Sequence, residues 1–272
     1  MVATLENGIW QVDAKAYHAD TSAVSHSMLE DFRRSIPLYH GRYVVSTLQR
    51  DEPTPSMVLG TALHALVLQP ERFDDLVAVA PECDRRTKAG KTALEEFQSV
   101  AVGKTVISRE QHWTARQMVD GIQRNSLAWE LLQARGRSEL SLRWEHPFEV
   151  ACKSRLDRVA DGFSLDVKTS VDPSPDAWSK QAAGFGYHRQ QAFYQDALRK
   201  TLDKSGPFYF VVVGNSPPYE CAVYQLDEDA VEIGRQQNAE LIAELQNCLL
   251  CDQWEGRWSG QVYRVKLPAW AF

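Results

Sequence analysis

Long apolar runs are missing from this chain of 272 residues. No stretch approaches the roughly eighteen consecutive apolar residues that a membrane-spanning helix needs, so no such helix is expected. The opening Met-Val-Ala-Thr-Leu-Glu-Asn-Gly-Ile-Trp lacks the basic flank and apolar core of a secretory signal, and a cytoplasmic protein is the expectation. Cysteine is scarce. Cys83, Cys152, Cys221, Cys248 and Cys251 form an odd, scattered set, which speaks for reduced thiols rather than a disulfide framework. Cys248 and Cys251 make a single C-x-x-C in an apolar helical pattern. A zinc or iron–sulfur site needs about four ligands, so these two read as core residues. Excess positive charge is also absent: 30 basic residues stand against 36 acidic, a net charge of −6. That weighs against a chain that grips nucleic acid by bulk electrostatics, but leaves room for a basic channel on an acidic shell. Neither an internal repeat nor a low-complexity linker divides the chain, so one domain is expected.

Hydrophobic residues make up 44% and charged residues 24%, the make-up of a globular domain with a substantial core. Helices are expected over 26–35, stopping before Pro37, and over 56–69. A strand follows at 75–80, then a basic loop at Arg85-Arg-Thr-Lys-Ala-Gly-Lys91 and a helix of about ten residues. Ser108-Arg-Glu-Gln111 has the form of a capping box and should open a long helix to about 134. The period then changes. Glu139-Leu-Ser-Leu-Arg-Trp-Glu145 alternates as a half-buried strand does. Helices are expected from Ser174-Pro175 and over 187–200. Phe208-Tyr-Phe-Val-Val-Val213 reads as a buried central strand, with Cys221–Leu226 as its partner. A long helix should span 228–251, and Trp254, Trp258 and Trp270 in the tail cap the core or meet a partner. The order describes an α/β fold with a mixed sheet flanked by helices. Its parts are a mostly helical 1–135 with His64, a sheet core over 136–226, and a C-terminal helix and tail over 227–272.

The densest chemistry lies between Cys152 and Ser170. Asp161-Gly162 between two alternating apolar runs signals a hairpin with a type I′ turn. Counting outward, Val159 faces Ser164, Arg158 faces Leu165, and Asp157 faces Asp166. Two carboxylates so placed repel, unless a divalent cation between them turns repulsion into binding. Lys168 shares the face of Asp166, while Leu165 and Val167 point the other way, into a core. The alternative is two surface aspartates and a surface lysine. His64, in Leu59-Gly-Thr-Ala-Leu-His64, is either a satisfied helix histidine or a ligand completing a carboxylate site. Gln190 and Tyr194 share a helix face. With Arg189 nearby, that face is either a polar surface or a contact for phosphates beside the metal. Arg85, Arg86, Lys88 and Lys91 are either a solvated loop or one that tracks DNA phosphates. Glu139 is either a solvated strand-end acid or an additional acid reaching the site from the neighbouring strand.

Taken together, these pieces resemble the PD-(D/E)XK nuclease superfamily. More closely, the chain resembles the RecE/exodeoxyribonuclease VIII-type domain of phages and prophages, in the RecB-like branch. The resemblance is carried by Ser25-His-Ser27 with Pro37 and Tyr39, by the Gly60-x-x-x-His64 helix, by the basic segment 85–91, by Asp157 with Asp166-Val-Lys168, and by Gln190-x-x-x-Tyr194. It implies a restriction-endonuclease-like fold and a nuclease digesting the 5′ strand of linear duplex DNA, leaving 3′ single strands for recombination by annealing. It implies magnesium, with manganese as a substitute, held by His64, Asp157, Asp166 and the Val167 carbonyl. Lys168 would activate the attacking water, and Gln190 and Tyr194 would hold the phosphate or the lysine. Ser25, Ser27, Arg85, Arg86, Lys88, Lys91 and Arg189 would contact DNA. A ring-shaped homo-oligomer on DNA ends, an annealing partner protein and a bacterial or phage-infected cytoplasm are further implications. No iron–sulfur cluster is expected, because the cysteine pattern departs from that of the cluster-bearing branch. An endonuclease, a CRISPR-associated or AddB-like nuclease, and a non-catalytic DNA-end-binding module are the competing readings.

Overall fold

The computed structural model describes residues 8–84 and 86–272, so Arg85 lies outside it. Along the chain run β1 (Gly8–Ile9), α1 (Ala14–Ala19), α2 (His26–Arg34), α3 (Ile36–Tyr39), α4 (Pro55–Leu68), α5 (Phe73–Leu76), β2 (Val77–Val79), α6 (Lys88–Val100), β3 (Thr105–Ile107), α7 (Arg109–Arg124) and α8 (Ser126–Gln133). Then follow β4 (Gly136–Glu145), β5 (Ala151–Ala160), β6 (Ser164–Ser170), α9 (Pro175–Phe185), α10 (Tyr187–Leu202), β7 (Phe208–Gly214), β8 (Cys221–Tyr224) and α11 (Glu228–Cys251). The six-stranded sheet has the order β1-β4-β5-β6-β7-β8 and is antiparallel except for the parallel β6–β7 pair. This is the mixed sheet flanked by helices that the sequence implies.

Alternation along β6 and β7 sorts the two layers. Leu165, Val167, Val211 and Val213 pack with Leu63 of α4, Met118 and Ile122 of α7 and Leu132 of α8. Phe208, Phe210 and Val212 pack with Trp178 and Ala182 of α9 and with Tyr187 and Tyr194 of α10. Asp166 and Lys168 pair with Phe210 and Val212, which sets them on the α9–α10 side. Gly186, at φ +71, ends α9 in the left-handed conformation that glycine adopts without strain, and α10 starts at the next residue. The tight α10–α11 approach also needs a glycine. A Cβ on Gly234 would lie 2.4 Å from the His188 carbonyl oxygen.

Local chemistry moved several expected boundaries. Ser108 and Gln111 form the capping box, yet the helix it opens ends at Arg124. The Asn125 side chain accepts from the Ala128 N–H and donates to the Cys221 carbonyl, starting α8 as a separate helix. Lys88 and Lys91 are helical rather than in a loop, because Thr87 caps α6 at the Gly90 N–H. The strand expected at 75–80 shrinks to β2, and it pairs in parallel with β3 in a second small sheet. A short helix, α3, carries Pro37 in its first turn. Gly162 alone takes positive φ (+95) at the hairpin, so the turn is not type I′, though the register it sets is the one expected. In the tail, Trp254 stacks on His40 at 4.7 Å, while Trp258 and Trp270 stay exposed.

Residues 10–22 lie across β4 and β5 and are held there by basic side chains. Lys153, 1% exposed, donates to the carbonyls of Tyr17 and Asp20. Arg155 donates to the Val12 carbonyl and Arg143 to Ser22 Oγ. No described helix is long and apolar enough to cross a membrane.

Candidate metal centre

The β5–β6 ladder registers Arg158 with Leu165 and Val159 with Ser164, then stops. Beyond it the Val167 N–H donates to Asp157 Oδ2 at 2.8 Å. The strands part where the acids stand, and a carboxylate takes the place of a ladder carbonyl. His64, carried by α4 from the opposite layer, places Nε2 2.9 Å from the Val167 carbonyl oxygen and 3.7 Å from Asp157 Oδ2. Glu139 of β4 turns to the same point. Its φ is +53, and the Glu139–Asp157 position is the one gap in the β4–β5 register. Left-handed backbone at a glutamate in a strand is strained, and such strain gathers at functional sites. One ligand atom each from His64, Glu139 and Asp157 lie within 4.8 Å of one another.

Asp166 and Lys168 form the other half. Lys168 Nζ sits 2.5 Å from Asp166 Oδ2 and 4.7 Å from the centre of the Tyr187 ring. Gln190 Nε2 donates to Asp166 Oδ1 at 3.3 Å and to Tyr194 Oη at 3.1 Å. The Gln-x-x-x-Tyr pair thus orients the second acid of the D-x-K triplet. Burial pushes the Asp157 carboxyl up to about 7, and the nearby Asp166 charge adds to the rise against the opposing pull of His64. Burial pulls the His64 imidazole down, but Asp157, Glu139 and Asp166 outweigh it and the net shift is upward. Lys168 behaves alike: burial opposes its charge, Asp166 and Tyr187 favour it, and it stays an ammonium. Burial raises the Tyr194 phenol, which stays protonated.

The donors suit a divalent ion. The carboxylates of Asp157, Glu139 and Asp166, an imidazole and a peptide carbonyl are hard or borderline ligands, matching magnesium or manganese. Asp166 Oδ2 is buried with no hydrogen-bond donor in proper geometry, despite its contact with Lys168. His64, Glu139 and Asp157 line a cleft of about 750 Å³, with Gln190 and Tyr194 on the same wall system. Ser25 and Ser27 line it too, their hydroxyls 3.0 Å apart at the start of α2.

Four other expected DNA contacts lie elsewhere. Arg189 is buried, and its guanidinium is taken up by Glu30 at 2.6 and 3.0 Å and by Gln237 at 3.1 Å. It ties α10 to α2 and α11 rather than facing the cleft. Arg86 is exposed and pairs with Asp84, and Lys88 and Lys91 are exposed on α6 away from the cleft lining. Sequence reasoning missed Lys15, Arg72 and Arg155, which do line the cleft. For Arg155 a signal was available, since Arg155-Leu156-Asp157 on a strand sets the arginine beside the acid on one face.

The model of the PDDEXK-like domain of unknown function (DUF3799) matches residues 25–267. The chain belongs to this family. Its place in the PD-(D/E)XK nuclease superfamily agrees with the fold. A crystal structure of a putative exonuclease from Eubacterium rectale superposes with a TM-score of 0.58 at 14% identity, covering 95% of this chain and 97% of that one. A crystal structure of LHK-Exo in complex with dAMP reaches a TM-score of 0.29 at 12% identity, over 72% of this chain and 93% of that one. No curated protein matches. The first likeness shows that this PDDEXK-like domain shares the fold of that protein along nearly its whole length.

Proposed function

We propose that this PDDEXK-like protein is a magnesium-dependent exodeoxyribonuclease. It digests the 5′ strand of linear duplex DNA and leaves 3′ single-stranded tails for annealing. The observation that carries the reading is the convergence of His64, Glu139 and Asp157 within 4.8 Å, beside the Asp166–Lys168 pair. His64, Asp157, Glu139, Asp166 and the Val167 carbonyl would hold the ion. The ion supplies Lewis-acid stabilisation of the charge that develops on the phosphoryl oxygens.

The rest of the chemistry belongs to the side chains. Lys168 is held as an ammonium by Asp166, so it orients the attacking water as a donor and stabilises negative charge; it is not the proton acceptor. Gln190 fixes Asp166, and Tyr194 in turn fixes Gln190. Ser25 and Ser27 offer hydroxyls to the strand as it enters the cleft. A ring of copies around DNA belongs to the proposal: enclosure would retain DNA without bulk positive charge, which suits a net charge of −6. An annealing protein is the fitting partner for the 3′ tails.

The test uses linear duplex DNA labelled at one 5′ end, beside a closed circle, with magnesium or with a chelator. Magnesium-dependent loss of the linear substrate from its 5′ ends, with the circle intact, is the expected result. Cutting of the circle makes the protein an endonuclease, and digestion of neither leaves a DNA-end-binding module.

A further inference from the structure

Arg155 stands two residues before Asp157 on β5, so both side chains leave one face of the strand. Its Nε donates to Glu139 Oε2 at 2.6 Å, and its Nη1 donates to Ser141 Oγ at 2.8 Å and the Val12 carbonyl at 3.2 Å. Nη2 makes no hydrogen bond among the described residues. Arg155 also lines the cleft. Among the cationic residues of that lining, Lys15, Arg72 and Arg155, it is the one bonded to a member of the metal cluster. The plain alternative is an internal ion pair that braces β4 against β5. Bracing is a weak reason to keep a pair only 11% and 17% exposed, since ion pairs removed from water recover little beyond their desolvation cost.

The pair also conflicts with the cluster it adjoins. An arginine on Glu139 both neutralises a ligand and sets a fixed positive charge beside the divalent ion. Coulomb repulsion at such range far exceeds thermal energy, even at an effective dielectric constant of about 20. A charge that opposes metal binding fits a second partner, and a planar guanidinium with a free edge in a nuclease cleft matches phosphate oxygens. We propose that Arg155 is a phosphate-binding residue whose guanidinium Glu139 holds at the cleft wall. Glu139 would serve a bound ion as a ligand, and the Arg155 guanidinium would then be left to a backbone phosphate. This inference rests on the nuclease reading and deepens it by naming the residue that meets the strand.

The experiment titrates manganese alone into the wild type, Arg155→Gln and Arg155→Lys by calorimetry. It then measures binding of a labelled duplex end in magnesium, at several salt concentrations, with each change placed in a Lys168→Ala background. Arg155→Gln should bind manganese at least about tenfold tighter. Its logarithmic salt slope for DNA should drop by about one, the loss of one phosphate contact. Arg155→Lys keeps the charge, so its manganese affinity and salt slope should stay close to wild type, while its DNA affinity falls for want of the fork. Manganese affinity unchanged or weaker in an Arg155→Gln protein that melts like the wild type overturns the proposal. If that variant does not fold, undiminished DNA affinity in Arg155→Lys overturns it instead. A wild type that binds no manganese sinks the nuclease reading itself, which separates the two failures.

Discussion

Asp157→Asn should make the ion-free protein more stable, even though it removes a residue assigned to the centre of the site. Asp157 is 8% exposed, and burial with the neighbouring acid raises its carboxyl from 3.8 to about 7. An acid raised on folding destabilises the native state wherever the unfolded chain is ionised and the folded one resists ionisation. The penalty is absent below about pH 4, grows as pH climbs, and is complete above about pH 7. A rise of roughly three units corresponds to a ceiling of about 4 kcal/mol at about 1.4 kcal/mol per unit. His64, whose imidazole Asp157 favours in its charged form, offsets part of that cost, so about 2 kcal/mol is the working figure. Asparagine keeps an oxygen for the Val167 N–H, so the backbone contact survives. For a chain of this length the gain is about 4 °C in Tm. The assay is thermal unfolding in chelator at pH 4, 5.5, 7 and 8.5, comparing variant with wild type. The gap should open between pH 4 and 7 and then level off. Excess manganese should reverse the order, because an ion at a hundred times its Kd stabilises the binding-competent wild type by about 2.7 kcal/mol. A variant that melts at or below the wild type at pH 8.5 in chelator would refute the reasoning.

Lys168→Ala should keep DNA binding and lose cleavage by about a hundredfold or more, read as single-turnover digestion against a binding isotherm; substantial residual rate removes the role given to this ammonium. Glu139→Gln should weaken manganese binding by at least about tenfold in calorimetry, since one anionic ligand is lost, and unchanged affinity would return Glu139 to the status of a strand-end acid. Gly234→Ala should lower stability by about 2 kcal/mol or more, because a Cβ at 2.4 Å from the His188 carbonyl oxygen forces α10 and α11 apart; chemical denaturation with a wild-type midpoint would contradict that packing.

The acids of the site were legible because one turn set their register. Asp161-Gly162 fixes the pairing of Arg158 with Leu165, and every later position on both strands follows by alternation. His64 was legible as a candidate, but not its reach, which depends on how α4 packs over β6. Parting of the strands at Asp157 was not legible, since it turns on the Val167 N–H choosing a carboxylate over a carbonyl. The placing of Glu139 was hidden for a similar reason: its left-handed φ runs against its residue type. Strict alternation also overstated the exposure of β4, where Leu140, Ser141 and Leu142 are all buried, because residues 10–22 cover the face that should have met water. Asn125 ends α7 through a contact with Cys221, which lies 96 positions away and leaves no local trace.

The strap of residues 10–22 bears on how the chain can be shortened. The family match begins at residue 25, and a boundary drawn there would look natural. Such a cut removes the Val12, Tyr17 and Asp20 carbonyls along with Ser22, while Lys153, Arg155 and Arg143 remain on the sheet. The Lys153 ammonium, already pulled down to about 8 by burial, would lose its acceptors, and three neighbouring cations on β4 and β5 would face solvent. A fragment trimmed to the homologous core would therefore be a different electrostatic object, and its loss of activity would say nothing about the acids that remain in it.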